Sequence, residues 1–150
     1  MDTLSASVLR DRKPQIGIVL GSGLGALAER IEGAEALPYS DIPGFPVSTA
    51  PGHKGRFVFG TIGDKEVVLM DGRVHLYEGY TPQQVVMPIR LMRQMGIHTV
   101  LLTNASGGIR RDLHAGDLML LTDHISSLVP SPLRGENDPA LGVRFPDMRH

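Results

Sequence analysis

The feature that most constrains the fold is a short apolar run that leads directly into a glycine-rich turn near the N-terminus. Residues 16–20 read Ile-Gly-Ile-Val-Leu between a proline and a glycine, and this pattern predicts a buried β-strand. The turn Gly21–Gly25 follows at once, and the composition of Ala26–Ile31 predicts a short helix that ends at Gly33. A strand, a glycine turn and a helix in this order predict an α/β fold.

The remaining pattern predicts a mixed α/β domain. Thr81 is a favoured N-cap residue, Pro82 fits the first helical position, and Gly96 ends a helix with one internal proline. Residues 37–55 carry four prolines and predict a loop. A turn at Gly63–Asp64 predicts a hairpin between the first two of four further strands. These four strands are expected over Arg56–Ile62, Glu66–Met70, Thr99–Thr103 and Asp117–Thr122.

The composition excludes several classes of protein. The 150 residues fit one domain, since domains of about 100–150 residues are the commonest. The chain has no cysteine, which excludes disulfides, thiolate metal sites and a cysteine nucleophile. A net charge of −1 gives no electrostatic reason to expect nucleic acid or an anionic membrane as a partner. We expect neither a signal peptide nor a membrane span, and hence a cytoplasmic protein.

Two common catalytic arrangements are missing from the sequence. The six histidines form no H-x-x-x-H pair, so we expect no metal site. The pattern G-x-S-x-G, which marks many serine hydrolases, does not occur. Any chemistry must therefore come from other groups.

The turn Gly21–Gly25 is the first candidate for a binding site. Glycines let backbone N–H groups approach a ligand, a helix N-terminus adds positive potential, and Ser22 adds a hydroxyl donor. These groups suit an anion such as phosphate, but a tight turn that binds nothing needs the same small residues. Gly21, Gly23 and Ala26 also match the dinucleotide pattern G-x-G-x-x-A. That pattern needs a strand ending in an acid ~20 residues on, where this sequence has the proline-rich loop, so dinucleotide binding is disfavoured.

Three polar side chains alternate directly after the strand that ends at Met70. Arg73, His75 and Tyr77 would point to one face of an extended segment. A guanidinium, an imidazole and a phenol suit a phosphate group and a sugar hydroxyl, whereas the alternative is a solvated strand end.

Two further segments place small or polar residues near predicted strand ends or loops. His53 lies in the proline-rich loop, where it is either a phosphate ligand or an exposed turn residue. Asn104–Gly108 follows the strand Thr99–Thr103, and its small residues provide either a flat floor for a ligand or close packing.

Taken in order, these segments resemble the trimeric class of purine nucleoside phosphorylases over Ile16–Met148. The resemblance rests on the glycine turn, on His53 after its glycine, on the run from Arg73 to Gly79, and on Thr103–Gly108. It implies an α/β fold with a mixed central sheet and flanking helices, of the nucleoside phosphorylase type. It also implies reversible phosphorolysis, in which a purine nucleoside and phosphate give a free purine base and (deoxy)ribose 1-phosphate. Phosphate is then a co-substrate, and no cofactor is needed.

The resemblance implies a phosphate site and a catalytic pair. The residues that would hold phosphate are Ser22, His53, Arg73, His75 and, through its backbone N–H, Ala105. His75 and Glu78 would act in catalysis, and we hypothesise that the Glu78 carboxylate orients the His75 imidazole.

The resemblance also implies the contacts of the nucleoside. Tyr77 would face the ribose, and Ala105 with Gly107 would line the purine pocket. Phe145 matches the aromatic residue that members of the class insert into the ribose site of a neighbouring subunit, which implies a homotrimer.

Members of this class are longer than this chain, and the glutamate and asparagine with which they bind the purine have no counterpart before His150. We therefore expect residues 1–150 to be the N-terminal part of a single domain, with the C-terminal part absent. The first hypothesis is the enzyme of this class. The alternative is an inactive fragment that retains phosphate binding or a subunit-contact surface.

Overall fold

The structure, a computed structural model, describes residues 13–48 and 54–147. The chain divides into two compact units after Ala105. The first unit contains the sheet, the long helix and most of the predicted site residues, and the second contains Gly107 and Phe145.

Five strands form one mixed sheet in the first unit. In chain order they are β1 (Ile16–Val19), β2 (Glu32–Pro38), β3 (Arg56–Ile62), β4 (Lys65–Asp71) and β5 (Thr99–Leu102). Their order across the sheet is β2-β3-β4-β1-β5. β3 is antiparallel to both β2 and β4, whereas β1 runs parallel to both β4 and β5. The predicted α/β class and the predicted hairpin between β3 and β4 are confirmed.

Among the described residues, the α-helix α1 covers Pro82–Gln94, and the sequence predicts both of its ends. The Thr81 hydroxyl accepts a hydrogen bond from the Gln84 N–H at 3.3 Å, while the Gln84 side-chain oxygen accepts one from the Thr81 N–H at 2.9 Å. This reciprocal pair satisfies two N–H groups that would otherwise have no partner at the start of the helix. Gly96, with φ at +89°, follows the last turn in the left-handed conformation that glycine adopts most readily.

Helix α1 packs on one face of the sheet through Met92, which is fully buried. A Cβ atom at Gly17 of β1 would lie only 2.8 Å from the Met92 sulfur, so the glycine makes room for the methionine. On the same face Tyr39, Phe45 and Phe57 form an aromatic cluster with ring centroids 4.8 to 5.5 Å apart. The helix and the aromatic cluster together cover this face.

The opposite face of the sheet buries a second apolar cluster, which includes residues of β1, β3 and β4. Its buried members are Ile18, Leu20, Ala28, Ile31, Val58, Val67 and Leu69. Strands that are covered on both faces need apolar side chains in both directions, and this explains the continuous apolar runs in the sequence.

The predicted helix over Ala26–Ile31 is wrong. The chain forms a 3₁₀ turn at Gly25–Glu29 instead, and β2 begins at Glu32 and extends into the predicted loop. A helix this short is marginal by itself, so burial of the Ile31 side chain and pairing of β2 with β3 outweigh the local preference. Because β2 is antiparallel to its neighbour, the sheet also lacks the parallel second strand of a dinucleotide-binding unit.

The second unit is largely irregular over its described residues, with a 3₁₀ turn at Pro139–Leu141. The predicted strand over Asp117–Thr122 is wrong, since none of these residues lies in a strand and Leu118 is 98% exposed. A strand needs a neighbour for its N–H and C=O groups, and no described residue forms a strand beside this segment. None of the described helices is both long and apolar enough to cross a membrane.

The contact between Met92 and β1 leads to a prediction about stability. Met92→Ala is expected to lower the free energy of unfolding by about 2–5 kcal/mol, because it leaves a cavity beside Gly17. The matched control is Gln94→Ala at an exposed position of the same helix, with an expected change within about 0.5 kcal/mol. Urea denaturation followed by circular dichroism measures both, and equal effects of the two substitutions would contradict this packing.

Candidate anion-binding site

The carboxyl ends of β1, β4 and β5 lie side by side at one edge of the sheet. The register pairs Val19 of β1 with Met70 of β4 and with Leu102 of β5. Because the three strands are parallel, the glycine turn, residues 72–78 and residues 103–105 all leave the sheet at this edge. Ligands of open α/β sheets bind at such an edge.

Gly21 packs directly against the chain that follows β5. A Cβ atom at this position would lie 2.7 Å from the Asn104 Cα and 2.7 Å from the Thr103 carbonyl oxygen, so only glycine fits. Gly23 has φ at +86°, which also favours glycine, and Ser22 between them is exposed. The turn continues into the 3₁₀ turn at Gly25–Glu29, so the helix N-terminus that was expected to attract an anion is not there.

Arg73 and His75 lie together in the segment that follows β4. The Arg73 Nε donates a hydrogen bond to the His75 Nε2 at 3.3 Å, and the Arg73 Nη1 donates one to the Thr103 carbonyl oxygen at 2.8 Å. The guanidinium therefore spans from the end of β4 to the end of β5. A planar group with five N–H donors in this position is suited to bind an oxyanion.

The Glu78 carboxylate contacts the His75 imidazole, as the hypothesis for this pair requires. Its Oε1 accepts from the His75 backbone N–H at 2.8 Å and lies 2.8 Å from the His75 Nδ1, and its Oε2 accepts from the Ser48 hydroxyl at 3.3 Å. The Glu78 side chain is only 2% exposed. A carboxylate only accepts and a guanidinium only donates, so these partners assign a hydrogen to Nδ1 and an acceptor role to Nε2.

Tyr77 lies against the His75 imidazole. Its ring stacks on the His75 imidazole with centroids 4.7 Å apart and an angle of 19°, while the residue is 76% exposed. The prediction that Arg73, His75 and Tyr77 share one face of an extended segment is wrong in its geometry, because Leu76–Glu78 forms a 3₁₀ turn. The three side chains nevertheless remain in contact, since Arg73 is bonded to His75 and His75 stacks on Tyr77.

Thr103 links the segments at the sheet edge, although no sequence pattern assigned a role to its side chain. Its hydroxyl donates to the Val19 carbonyl oxygen at 2.8 Å and accepts from the Gly21 N–H at 2.8 Å. Gly21 is 82 positions away, so no local pattern could have indicated the contact. The same is true of Ser48, which lies 30 positions from Glu78.

A group of charged side chains ties the 3₁₀ turn after Gly25 to β3 and β4. Buried Asp71 accepts from the Arg56 Nε at 2.9 Å, and the Arg56 Nη2 donates to Glu29 at 2.7 Å. Lys54 also donates to Glu29. The hydrogen bond from Lys54 and, to a smaller extent, that from Arg56 lower the pKa of Glu29 below its ordinary value. The buried carboxylate of Asp71 thus has a paired charge, which offsets the cost of removing it from water.

A buried phenol holds the start of the segment that carries Arg73. The Tyr39 hydroxyl donates to the Gly72 carbonyl oxygen at 2.7 Å. Burial, together with the negative charge of Asp71, raises the pKa of Tyr39 far above its ordinary value, so the hydroxyl keeps its proton and remains a donor. This bond fixes the backbone directly before Arg73.

Four other residues were predicted to belong to the site. Ala105 is exposed two residues beyond Thr103, His53 lies outside the described residues, and Gly107 and Phe145 belong to the second unit, where Phe145 is 86% exposed. Among the residues that the structure describes, no group of three or more histidine and acidic side chains could hold a metal ion. An open depression of about 670 Å³ holds none of the predicted residues and is lined by Lys13, Pro14, Gln15, Ile16, Lys65, Met95, Gly96, His98 and Thr99.

The sequence is similar to that of known enzymes over most of its length. Residues 15–150 match the Phosphorylase superfamily. Purine nucleoside phosphorylase 1 of Geobacillus stearothermophilus is 53% identical over 135 residues, which are 90% of this chain and 49% of that protein. Purine nucleoside phosphorylase of Bos taurus is 45% identical over 143 residues, with coverage of 92% and 49%. The chain thus spans about half the length of the curated relatives it matches.

Solved structures share the fold. Isoform 2 of purine nucleoside phosphorylase from Schistosoma mansoni, in complex with cytosine and ribose-1-phosphate, superimposes with a TM-score of 0.80 at 41% identity, over 97% of this chain and 53% of that one. The purine nucleoside phosphorylase of the same organism in complex with inosine gives a TM-score of 0.82 at 38% identity, with coverage of 96% and 52%.

The close approach at Gly21 leads to a prediction about anion binding. In Gly21→Ala the new Cβ must displace the backbone of the turn, and we expect the affinity for inorganic phosphate to fall about tenfold or more. Isothermal titration calorimetry with phosphate measures the change. The control is Gly63→Ala in the β3–β4 turn, which has φ at +61° and open space around it. It is expected to reduce stability without reducing affinity, and an unchanged affinity in Gly21→Ala would contradict the placement of the site at this turn.

Proposed function

This chain belongs to the phosphorylase superfamily, and on that premise we propose that it carries the phosphate and ribose part of a purine nucleoside phosphorylase. In the proposed reaction a purine nucleoside and inorganic phosphate give a free purine base and ribose 1-phosphate or deoxyribose 1-phosphate, reversibly. The relatives' names support this, as do the similar Schistosoma mansoni enzymes that bind inosine and ribose-1-phosphate. Phosphate is a co-substrate in this proposal, which needs no cofactor.

The observation that carries the proposal is the Arg73–His75 pair at the sheet edge. The two side chains are in contact beside the glycine turn, and the Thr103 carbonyl and the Glu78 carboxylate hold them. Arg73 supplies the charged fork and Ser22 an exposed hydroxyl from the turn. His75 joins them by donating from Nε2, which takes a proton and gives up its bond from Arg73 when phosphate binds. The backbone N–H of Ala105 and the His53 side chain complete the proposed set of phosphate ligands.

The chemistry follows from holding phosphate rigidly next to the sugar. A phosphate oxygen forms a bond to the anomeric carbon while the bond from that carbon to the purine nitrogen breaks, and the base leaves with the electron pair. The sugar becomes positively charged in the transition state, so a fixed phosphate dianion both stabilises that charge and supplies the nucleophile. Glu78 acts by holding the His75 ring in one orientation, at 2.8 Å from Nδ1.

The nucleoside contacts belong to the same proposal. The Tyr77 ring is exposed above His75 and faces the ribose, and Ala105 with Gly107 lines the purine pocket. Phe145 contacts the ribose of a neighbouring subunit in a homotrimer, and its exposure of 86% is compatible with that role. The proposed location of the protein is the cytoplasm.

A direct assay separates this function from simple binding. The 150-residue chain is mixed with inosine and phosphate, and release of hypoxanthine is followed by absorbance while calorimetry measures phosphate affinity. Phosphate binding together with phosphate-dependent release of hypoxanthine supports the enzyme. Binding without release supports the alternative, a phosphate-binding chain that retains the site or a subunit contact without turnover. Absence of phosphate binding contradicts the enzyme and leaves only an inactive fragment with a subunit-contact surface.

Arg73→Ala tests the residue on which the proposal depends most. We expect phosphate affinity to fall by about tenfold to a hundredfold, because a charged hydrogen-bonding partner of the anion is worth about 1.5–3 kcal/mol. The matched control is Arg93→Ala, which removes the same charge from an exposed position in the last turn of α1. Calorimetry measures phosphate affinity and urea denaturation measures stability on the same samples, which distinguishes a binding role of Arg73 from a structural one. A loss of affinity no larger than in the control would show that the role is structural.

A further inference from the structure

Thr103 is hydrogen-bonded both to the glycine turn and to the Arg73 guanidinium of the proposed phosphate site. Its side-chain hydroxyl bonds to the backbone on each side of Leu20, as donor to Val19 and as acceptor from Gly21, both at 2.8 Å. Its backbone N–H also donates to the Val19 carbonyl at 3.1 Å, and its own carbonyl accepts from the Arg73 Nη1 at 2.8 Å. The glycine turn, the end of β5 and the Arg73 guanidinium therefore meet at one residue.

The chemistry of a hydroxyl explains why this position needs a side chain that carries one. A hydroxyl is both a donor and an acceptor, and the Val19 carbonyl can only accept, so the hydroxyl hydrogen points to Val19. This leaves its lone pairs for the Gly21 N–H. The hydroxyl thus sets the direction in which the chain enters the turn, and Gly21 packs so closely there that an added Cβ atom would lie 2.7 Å from the Thr103 carbonyl oxygen.

We propose that Thr103 is a positioning residue of the anion site, which fixes the distance between the glycine turn carrying Ser22 and the Arg73 guanidinium. The inference rests on the proposed phosphate site. Thr103 does not itself contact the anion, since its hydroxyl and its carbonyl are used by protein partners. A displacement of about 1 Å between binding groups is enough to cost a hundredfold in a process that depends on their geometry.

The test compares Thr103→Val with Thr103→Ser and with Thr81→Val. Thr103→Val keeps the shape of the side chain and removes both hydroxyl bonds, and Thr103→Ser keeps them. Thr81→Val is the matched control, because it removes the hydroxyl that caps α1 and lowers stability through bonds to Gln84, which is not a proposed ligand. Phosphate affinity is measured by calorimetry and stability by urea denaturation on the same preparations.

We expect Thr103→Val to weaken phosphate binding about tenfold or more, and Thr103→Ser and Thr81→Val to bind within about threefold of the unaltered chain. Equal affinity of Thr103→Val and Thr81→Val at comparable stability would overturn the positioning role. Failure of the unaltered chain to bind phosphate would instead overturn the proposed function, so the two failures are distinguishable.

Hydrogen exchange of the Gly21 amide tests the same inference without a substitution, in case Thr103→Val does not fold. The Gly21 N–H is bonded to the Thr103 hydroxyl, so we expect it to exchange slowly both with and without phosphate. The Ser22 amide in the same turn provides the internal reference. A Gly21 amide that exchanges as fast as that of Ser22 in the absence of phosphate would contradict the contact on which the positioning role depends.

Discussion

The parallel pairing of β1 with β4 on one side and with β5 on the other fixes where the glycine turn, the segment after β4 and residues 103–105 leave the sheet. Parallel strands end at a common edge, so segments that are far apart in sequence leave the sheet close together. The pairing itself requires side chains that are apolar on both faces, because α1 and the aromatic cluster cover one face and the second apolar cluster lies on the other. The same buried strands therefore maintain the core and place the site.

The polar groups around this edge hold one another in position. Asp71 is paired with Arg56, and the Glu78 carboxylate is shared between the His75 imidazole and the Ser48 hydroxyl. Buried carboxylates without partners would be costly, so each of these contacts offsets the cost of removing a carboxylate from water. The result is a set of polar groups whose directions are fixed by protein partners. Such preorganisation is the condition under which hydrogen bonds and charges contribute most to a transition state.

Elements with strong local signals could be predicted, and those that depend on a neighbour could not. The ends of α1 follow from Thr81, Pro82 and Gly96, because capping and positive φ are properties of a few adjacent residues. The helix predicted at Ala26–Ile31 was wrong because pairing of β2 with β3 competes with a weak helical preference. The strand predicted at Asp117–Thr122 was wrong because an apolar run becomes a strand only beside another strand.

The sequence by itself determined which chemical groups meet in the segment after β4. Arg73, His75 and Glu78 lie within six positions, so their mutual contacts follow from a short turn of the backbone. Only the tertiary structure decided that Thr103 accepts hydrogen bonds from Gly21 and Arg73, and that Ser48 donates one to Glu78. A hydrogen bond acts over about 3 Å and demands a narrow range of directions. For residues so far apart in the chain, strand register and loop packing determine this distance and this direction.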